Sequence, residues 1–431
     1  MKLITDYLYP LKAGVLAGRY ERLEQADHPL ALTMVEDGVI VTPQLRGCND
    51  TCVTDPRGSI VEGSVREAEE EFTARVARLG QEDIAEATEE ATVLYGGYFN
   101  THWGHFLTDV LSRLWPLFGT PGGAGVDRIV FCLHEGEKPR LSGNIDRALT
   151  LLSVRDKIEF IDRPTRYRRV LVGETGVYPR SIFAKDVKVV YDRLAEAALS
   201  LPAPSTDYGK RLYMSRSRLP KAVKNEPGTE RLDSLMEKWG YRVIYPEKMD
   251  LAELIHALHA AREVAAVSGT LPHNMLLGRD ATSLTILEKY PAVNNYQPGV
   301  DRLRDLRVTP VDCGAFIRPV SVGLGPFIIY PTRKLMAWAR DNKKTPPTPL
   351  SDRECRVYLR KFQKRFRRNY GEQWVMPDWL IDETALCCEA YRETALTFGP
   401  WLEGLRPVTL SDLLNPLRIA RRLKRLLSKH R

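Results

Sequence analysis

The sequence lacks several features that identify common classes of protein, and each absence narrows the interpretation. It has no run of about eighteen apolar residues, so a membrane-spanning helix is not expected. Asp6 and Pro10 interrupt the first apolar stretch, which argues against a secretory leader. The seven cysteines include no Cys-x-x-Cys pair, and their odd number is typical of a reducing compartment rather than of a disulfide framework. A cytoplasmic location is therefore expected.

The sequence also has no recognisable metal site. An Asp-x-Asp motif, of the kind that holds a metal-bound nucleotide sugar, is missing. The pairs His102/His105 and His256/His259 have helical spacing, but neither comes with the further ligands of a zinc site. We expect no metal ion and no resident cofactor, and we expect His256 and His259 to be surface residues of a helix.

The net charge of +8 is concentrated in one short segment. Residues 413–431 carry seven Lys or Arg and no acid, so the rest of the chain is nearly neutral. Segment 416–431 begins with proline and has the pattern of a basic amphipathic helix, which is typical of a membrane-surface element. Each basic residue near an anionic leaflet contributes about 1 kcal/mol. We interpret the segment as binding an anionic membrane surface; packing on its own protein or nonspecific nucleic-acid binding is the alternative, and no specific nucleic-acid partner is expected.

The length and the apolar pattern predict an α/β protein with more than one domain. The 431 residues are 43% apolar and 27% charged, as in globular proteins. Short apolar runs alternate with helical patterns over 92–199 and again over 211–288, which predicts βα units around largely parallel sheets. A Pro-rich linker at 201–209 separates the two runs. The predicted domains are an N-terminal Rossmann-like unit at 1–200, a second Rossmann-like unit at 201–310, and a mostly helical accessory region with the basic tail at 311–431.

The segment 102–115 places polar side chains on an otherwise apolar predicted helix. Read as an α-helix that ends at Pro116, it puts His105, Asp109 and Arg113 on one face at successive turns. A base, a carboxylate and a cation aligned in this way favour one wall of a polar cleft. The alternative is that His105 is a buried histidine and Asp109 an ordinary helix partner.

Three stretches, in this order, resemble the motifs of glycosyltransferase family 61, which includes bacterial capsule and exopolysaccharide enzymes. They are Gly104-His-Phe-Leu-x-Asp-x-Leu-x-Arg-Leu-Trp115, Leu212-Tyr-Met-Ser-Arg-Ser-Arg218 and Val267-Ser-Gly-Thr-Leu-Pro-His-Asn-Met-Leu276, with Pro246-Glu247 between the last two. The resemblance implies a GT-B-like fold, in which two Rossmann-like domains face a cleft. It also implies an inverting glycosyltransferase that uses a nucleotide sugar, taken to be UDP-linked, and a glycan or lipid-linked acceptor in capsule or surface-polysaccharide synthesis.

Transfer of a sugar requires a base for the acceptor hydroxyl, and the first motif supplies candidates. His105 and Asp109 suit this task, because a carboxylate can fix the imidazole tautomer and stabilise its protonated form. Either residue can be the base. His102 is a candidate for contact with the acceptor, and Arg113 is a further candidate for the wall of the cleft.

The later motifs supply candidates for holding the donor. Arg216 and Arg218, with Lys221 as a helper, are predicted to neutralise the leaving diphosphate, since arginine matches phosphate oxygens at two points. A solvated basic turn is the alternative. The other candidates for the donor site are Glu247, Gly269, Thr270, His273 and Asn274. The loop at 269–274 departs from the family pattern, because it has a single glycine and its Pro272 removes one N–H donor.

Two other functions are compatible with the sequence. A sugar-phosphate transferase of the same pathway is expected to have an Asp-rich metal site, which is missing here. A non-catalytic scaffold that binds a membrane surface through the basic tail would need no nucleotide site.

Overall fold

The computed structural model describes most of the chain. The described residues are 1–25, 29–43, 49–65, 70–87, 90–120, 123, 125–139, 141–178, 182–321, 323–371 and 384–402. The predicted membrane-surface segment 416–431 lies outside the described residues. No helix among those ranges is long and apolar enough to cross a membrane.

The first sheet has seven strands and contains parallel and antiparallel pairs. Its strands are β2 (Leu32–Val41), β3 (Cys52–Thr54), β4 (Ala85–Glu86), β5 (Thr92–Tyr98), β6 (Arg128–Cys132), β7 (Ile158–Ile161) and β8 (Thr165–Gly173). Their order is β3-β2-β8-β5-β6-β7, with β4 also paired to β8. Strands β8, β5, β6 and β7 run parallel, whereas β2 is antiparallel to both of its neighbours.

The second sheet has six strands and every pair in it is parallel. Its strands are β1 (Lys2–Leu3), β11 (Arg211–Met214), β12 (Arg242–Ile244), β13 (Glu263–Val267), β14 (Ser283–Glu288) and β15 (Arg307–Asp312). Their order is β1-β15-β14-β13-β11-β12. Two short antiparallel pairs complete the strands: β9 (Val177–Tyr178) with β10 (Ile182–Phe183), and β16 (Gly314–Ala315) with β17 (Ile328–Ile329). The α/β prediction is confirmed.

Helices cover the sheets and join their cores. The α-helices of the described residues are α1 (Pro10–Gln25), α2 (Glu70–Val76), α3 (Trp103–His105), α4 (Trp115–Gly119), α5 (Gly143–Leu151), α6 (Lys188–Leu199), α7 (Pro220–Asn225), α8 (Thr229–Lys238), α9 (Leu251–Ala260), α10 (Gln297–Leu303), α11 (Arg333–Asp341), α12 (Asp352–Tyr370) and α13 (Thr384–Phe398). Helix α6 packs on α9. A single cluster of buried apolar side chains therefore includes members of both sheets, such as Leu94 and Leu212.

The N-terminal segment belongs structurally to the second sheet, although the predicted unit 1–200 includes it. Strand β1 pairs with β15, and α1 packs on α10. The buried Lys12 ammonium lies 2.8 Å from an oxygen of Asp312 and 3.3 Å from an oxygen of Glu288, so the helix is held by charges at the ends of β14 and β15. The predicted domain limits remain predictions, but residues 2–3 are paired with strands from the other half of the chain.

The helical segment 103–119 is not the single α-helix that its sequence pattern predicts. After α3 it forms one π-helical stretch at Phe106–Val110 and a 3₁₀ stretch at Leu111–Leu114, before α4 begins. The predicted end at Pro116 is wrong. Proline lies here in the first turn of α4, where its missing N–H has no intrahelical partner to lose.

Candidate active site

His105 and Asp109 form a hydrogen-bonded pair beyond the carboxyl end of β5. His105 Nδ1 lies 2.8 Å from Asp109 Oδ2, and the hydroxyl of Thr108 donates to Asp109 Oδ1 at 3.0 Å. The His105 side chain is 42% exposed and that of Asp109 only 17%. A carboxylate bonded to Nδ1–H leaves Nε2 as the proton acceptor of a neutral imidazole. The pair therefore has the arrangement of a general base and the group that orients it.

Tyr296 contacts both members of this pair, and it lies in the sequence beyond the last of the three motifs. Its hydroxyl donates to Asp109 Oδ2 at 3.4 Å, and its ring lies edge-on to that of His105, with the centroids 5.6 Å apart. The ring of His273 lies 6.0 Å from Tyr296 on the other side. Tyr296 directly precedes α10, and no pattern in the sequence marks it, because the contact joins residues 187 positions apart.

Arg113 does not lie on the face that carries His105 and Asp109, so that part of the prediction is wrong. Its side chain is buried, and Nη2 donates to the Ser64 carbonyl at 3.3 Å. Its Cζ lies 5.4 Å from the centroid of the Tyr95 ring. Arg113 thus packs into the first sheet, whereas the His105 side chain is partly exposed.

The loop after β13 packs directly on the His105 segment. A Cβ on Gly104 would lie 3.1 Å from the side chain of Thr270 and 3.3 Å from His273 Nδ1, so a larger residue would require these side chains to shift. Asn274 is buried: its side-chain oxygen accepts from Trp103 Nε1 at 2.8 Å, and its amide donates to the Leu271 carbonyl at 2.8 Å. The side-chain hydrogen bonds of Asn274 thus link the first motif to the last one.

His273 is a buried, unprotonated histidine beside the hydrogen-bonded pair of His105 and Asp109. It is 5% exposed, and neither ring nitrogen makes a hydrogen bond of good geometry. Its pKa is lowered to about 4, mainly by burial and also by His105 and His102, whereas Asn294 and Asp109 act in the opposite direction. At neutral pH the ring can offer one donor and one acceptor to a ligand.

Two cations lie beside Gly269, at the carboxyl ends of β11 and β14. The Cβ that Gly269 lacks would lie 3.6 Å from Arg216 Nη1 and 3.7 Å from Lys289 Nζ. Its φ of 122° is one that side-chain-bearing residues rarely adopt. Glu226 contacts both cations, with Oε2 3.3 Å from Arg216 Nε and Oε1 2.8 Å from Lys289 Nζ. Sequence reasoning identified Arg216 but missed Glu226 and Lys289; a lysine directly after a buried strand was the available signal.

His102 lies close to His105, and Arg216 and Lys221 are near enough to influence its charge. Its ring centroid is 5.4 Å from that of His105. Partial burial lowers its pKa, and so do the positive charges of His105, Lys221 and Arg216. The charges of His102, His105 and Asp109 also act on His273. The structure therefore brings His102, His105, Asp109, Arg216 and His273 into one neighbourhood.

The other candidates, Arg218, Lys221 and Glu247, have exposed side chains. Arg218 is exposed, and its Cζ stands 4.0 Å from the centroid of the Tyr245 ring. Tyr245 in turn donates to Asp233 at 3.1 Å, and the hydroxyl of Ser215 donates to the same carboxylate. Lys221 is exposed on α7, and Glu247 is exposed in the short turn after β12. Arg218 is thus a solvent-exposed cation whose guanidinium stacks on Tyr245.

No group of three or more His, Cys, Asp or Glu in the described part of the chain could hold a metal ion.

The histidines of α9 differ from the prediction: His256 and His259 are half-buried, and Nε2 of each ring is buried without a hydrogen-bond partner. Burial lowers the pKa of His259.

One sequence comparison bears on this geometry. Residues 103–285 match the family model of Glycosyltransferase 61. The match includes His105, Asp109, Arg216 and the Gly269 loop, and it ends before Lys289 and Tyr296. No curated protein matches the chain. The chain is therefore a glycosyltransferase, and the match supports its assignment to glycosyltransferase family 61.

Proposed function

We propose that the protein is an inverting glycosyltransferase that moves a sugar from a nucleoside diphosphate to a hydroxyl of a glycan or lipid-linked acceptor. The observation that carries this proposal is the position of the His105–Asp109 pair. It lies against a loop that also borders the cations Arg216 and Lys289. A base and a diphosphate-binding charge in one cleft are what a single-displacement transfer needs.

In this mechanism His105 is the base. Its Nε2 takes the proton of the acceptor hydroxyl, and the acceptor oxygen bonds to the anomeric carbon as the bond from that carbon to the diphosphate breaks. Asp109 orients the ring and stabilises the imidazolium. Of the two, His105 suits the base better, because it is the more exposed and because both oxygens of Asp109 already accept hydrogen bonds.

The leaving diphosphate would be met by side-chain cations. Arg216 can donate from its terminal nitrogens, and Arg218 and Lys221 add positive charge at the rim. His273 and Thr270, beside Gly269, would supply neutral hydrogen bonds to the donor, and Glu247 would meet its hydroxyls. This set supports transfer without a metal ion.

The arrangement of the two sheets supports a GT-B architecture. Strand β5 of the first sheet leads to His105, and strands β11, β13 and β14 of the second lead to Arg216, Gly269 and Lys289. The two groups meet where Gly104 approaches Thr270. In such folds ligands bind outside the carboxyl ends of the strands. We therefore propose the cleft between the two sheets as the site of transfer.

The resemblance to capsule and exopolysaccharide enzymes and the basic tail support a further part of the proposal. A UDP-linked donor and a surface-polysaccharide acceptor would place the enzyme in the cytoplasm, at the inner face of the plasma membrane. The segment 416–431 would hold it there by binding anionic lipid.

Calorimetric titration with UDP, GDP, CMP and dTDP tests the donor site. We expect one nucleotide to bind the wild type and to lose affinity in the double variant Arg216→Ala, Arg218→Ala. His256→Ala, which changes a half-buried histidine on α9, is the control and should bind normally. The proposal fails if no nucleotide binds, or if a variant with alanine at both His105 and Asp109 keeps transfer activity.

A further inference from the structure

A buried carboxylate lies between the two cations of the Gly269 loop. Glu226 is 3% exposed and Lys289 is 4% exposed, so this pair is removed from solvent. The Arg216 side chain is 17% exposed and is the member that solvent can reach. Two positive groups and one negative group leave one net positive charge at this position.

The three residues come from different elements that meet at one sheet edge. Arg216 follows β11, Lys289 follows β14 directly, and Glu226 follows the end of α7. Strand β13 lies between β11 and β14 and carries Gly269 at its end. The amide N–H of Lys289 also donates to the Ser268 hydroxyl at 3.2 Å, which fixes the lysine backbone against the loop. The charges are thus built into the loop that the donor is proposed to meet.

The contact with Glu226 determines which part of the Arg216 guanidinium is available. Oε2 of Glu226 lies 3.3 Å from Nε, an ion-pair contact without the geometry of a hydrogen bond, and Nη1 lies toward Gly269. An arginine whose Nε faces a carboxylate keeps its terminal nitrogens for phosphate oxygens. A buried carboxylate needs a second partner to be tolerated, and the ammonium of Lys289 at 2.8 Å supplies it.

We propose that Glu226 and Lys289 are positioning residues that aim Arg216 at the diphosphate of the donor. Glu226 fixes the guanidinium, and Lys289 compensates the carboxylate so that the site keeps a positive charge. This inference rests on the proposed function, because it takes the donor diphosphate to bind at Arg216. If the pair only tied α7 to β14, its removal would lower stability without changing the preference for diphosphate over monophosphate.

The double variant Glu226→Gln, Lys289→Met separates the two roles. It removes the two most deeply buried charges together and leaves only Arg216, which solvent reaches, so folding should be retained. Calorimetry with UDP and UMP, GDP and GMP, and dTDP and dTMP gives the preference for the diphosphate. We expect this preference to fall about tenfold, the value of one charge-assisted hydrogen bond, while monophosphate affinity changes little.

Two further variants keep the test decisive. Glu226→Asp preserves the charge but is too short to reach both cations, so it should lose part of the same preference even if the double variant is unstable. Asp301→Asn changes another buried acid, bonded to Gln297 at 2.7 Å, and should leave the preference unchanged. Wild-type preference in folded Glu226 variants overturns this inference alone, whereas absence of nucleotide binding by the wild type overturns the proposed function as well.

Discussion

The indole N–H of Trp103 donates to the side-chain oxygen of Asn274 at 2.8 Å, across 171 residues of sequence. This bond fastens the segment that carries His105 to the loop that follows β13. The distance between the proposed base and the proposed donor loop therefore depends on one buried amide side chain.

Replacement of Asn274 by Leu should separate these two segments. The change leaves the Trp103 N–H and the Leu271 carbonyl without their partner, which costs about 1–3 kcal/mol for an unsatisfied buried group. We expect a lower midpoint of urea unfolding together with a lower kcat/KM. Trp103→Phe removes the same bond from the other side, and normal activity in both variants would show that the bond does not set the geometry.

His105→Ala should lower kcat and leave the affinity for the donor nucleotide nearly unchanged. The loss expected for a general base is about 10²- to 10⁴-fold. Asp109→Asn should also lower kcat, because an amide neither holds the same tautomer nor stabilises the imidazolium. Initial rates with saturating donor and calorimetry of the nucleotide test this pair of effects. Equal losses of kcat and of nucleotide affinity would contradict the assignment.

Gly104→Ala should disturb the approach of the two segments, since its Cβ would lie 3.1 Å from Thr270 and 3.3 Å from His273 Nδ1. We expect lower stability and lower kcat/KM, because the loop must move. Gly14→Ala in α1 is the matched control: nothing lies within 4 Å of its Cβ, and it should gain about 1 kcal/mol of stability. Urea unfolding of both variants distinguishes a local clash from a general effect of alanine.

The burial of His273 predicts how stability depends on pH. Its folded pKa of about 4 lies below the value of about 6.5 in an unfolded chain, so the unfolded state binds the proton first as the pH falls. The contribution of His273 is complete above about pH 6.5 and decreases as the pH falls toward 4. Urea unfolding at pH 5 and pH 7.5 should show a smaller loss at low pH in His273→Asn than in the wild type. Identical losses would count against a buried neutral ring.

Local sequence patterns predicted some contacts well and others poorly. The pairing of His105 with Asp109 was predictable, because it depends on four-residue spacing within one helical turn. Arg113 was misplaced, because its partners Ser64 and Tyr95 lie on other elements and helical spacing does not reveal them. The alternation of strands and helices over 92–199 and 211–288 was predicted correctly, since each strand is a short apolar run between turn residues.

The missed site residues share one property, which is that their partners are distant in sequence. Tyr296 meets Asp109 across 187 residues, and Lys289 meets Glu226 across 63. Neither residue lies beside a motif. Lys289 follows a strand and Tyr296 precedes an α-helix, and both elements are ordinary in composition. Only the assembled sheet places them beside the loop.

The pairing of β1 with β15 has a consequence for any attempt to divide the molecule. A cut in the Pro-rich linker at 201–209 would leave Lys2–Leu3 and Lys12 on one fragment and their partners in β14 and β15 on the other. The C-terminal fragment would then expose the edge of β15 and two carboxylates, at Glu288 and Asp312, that had shared one ammonium. The two halves should therefore be produced together, or the C-terminal half should be given residues 1–25 as an added piece.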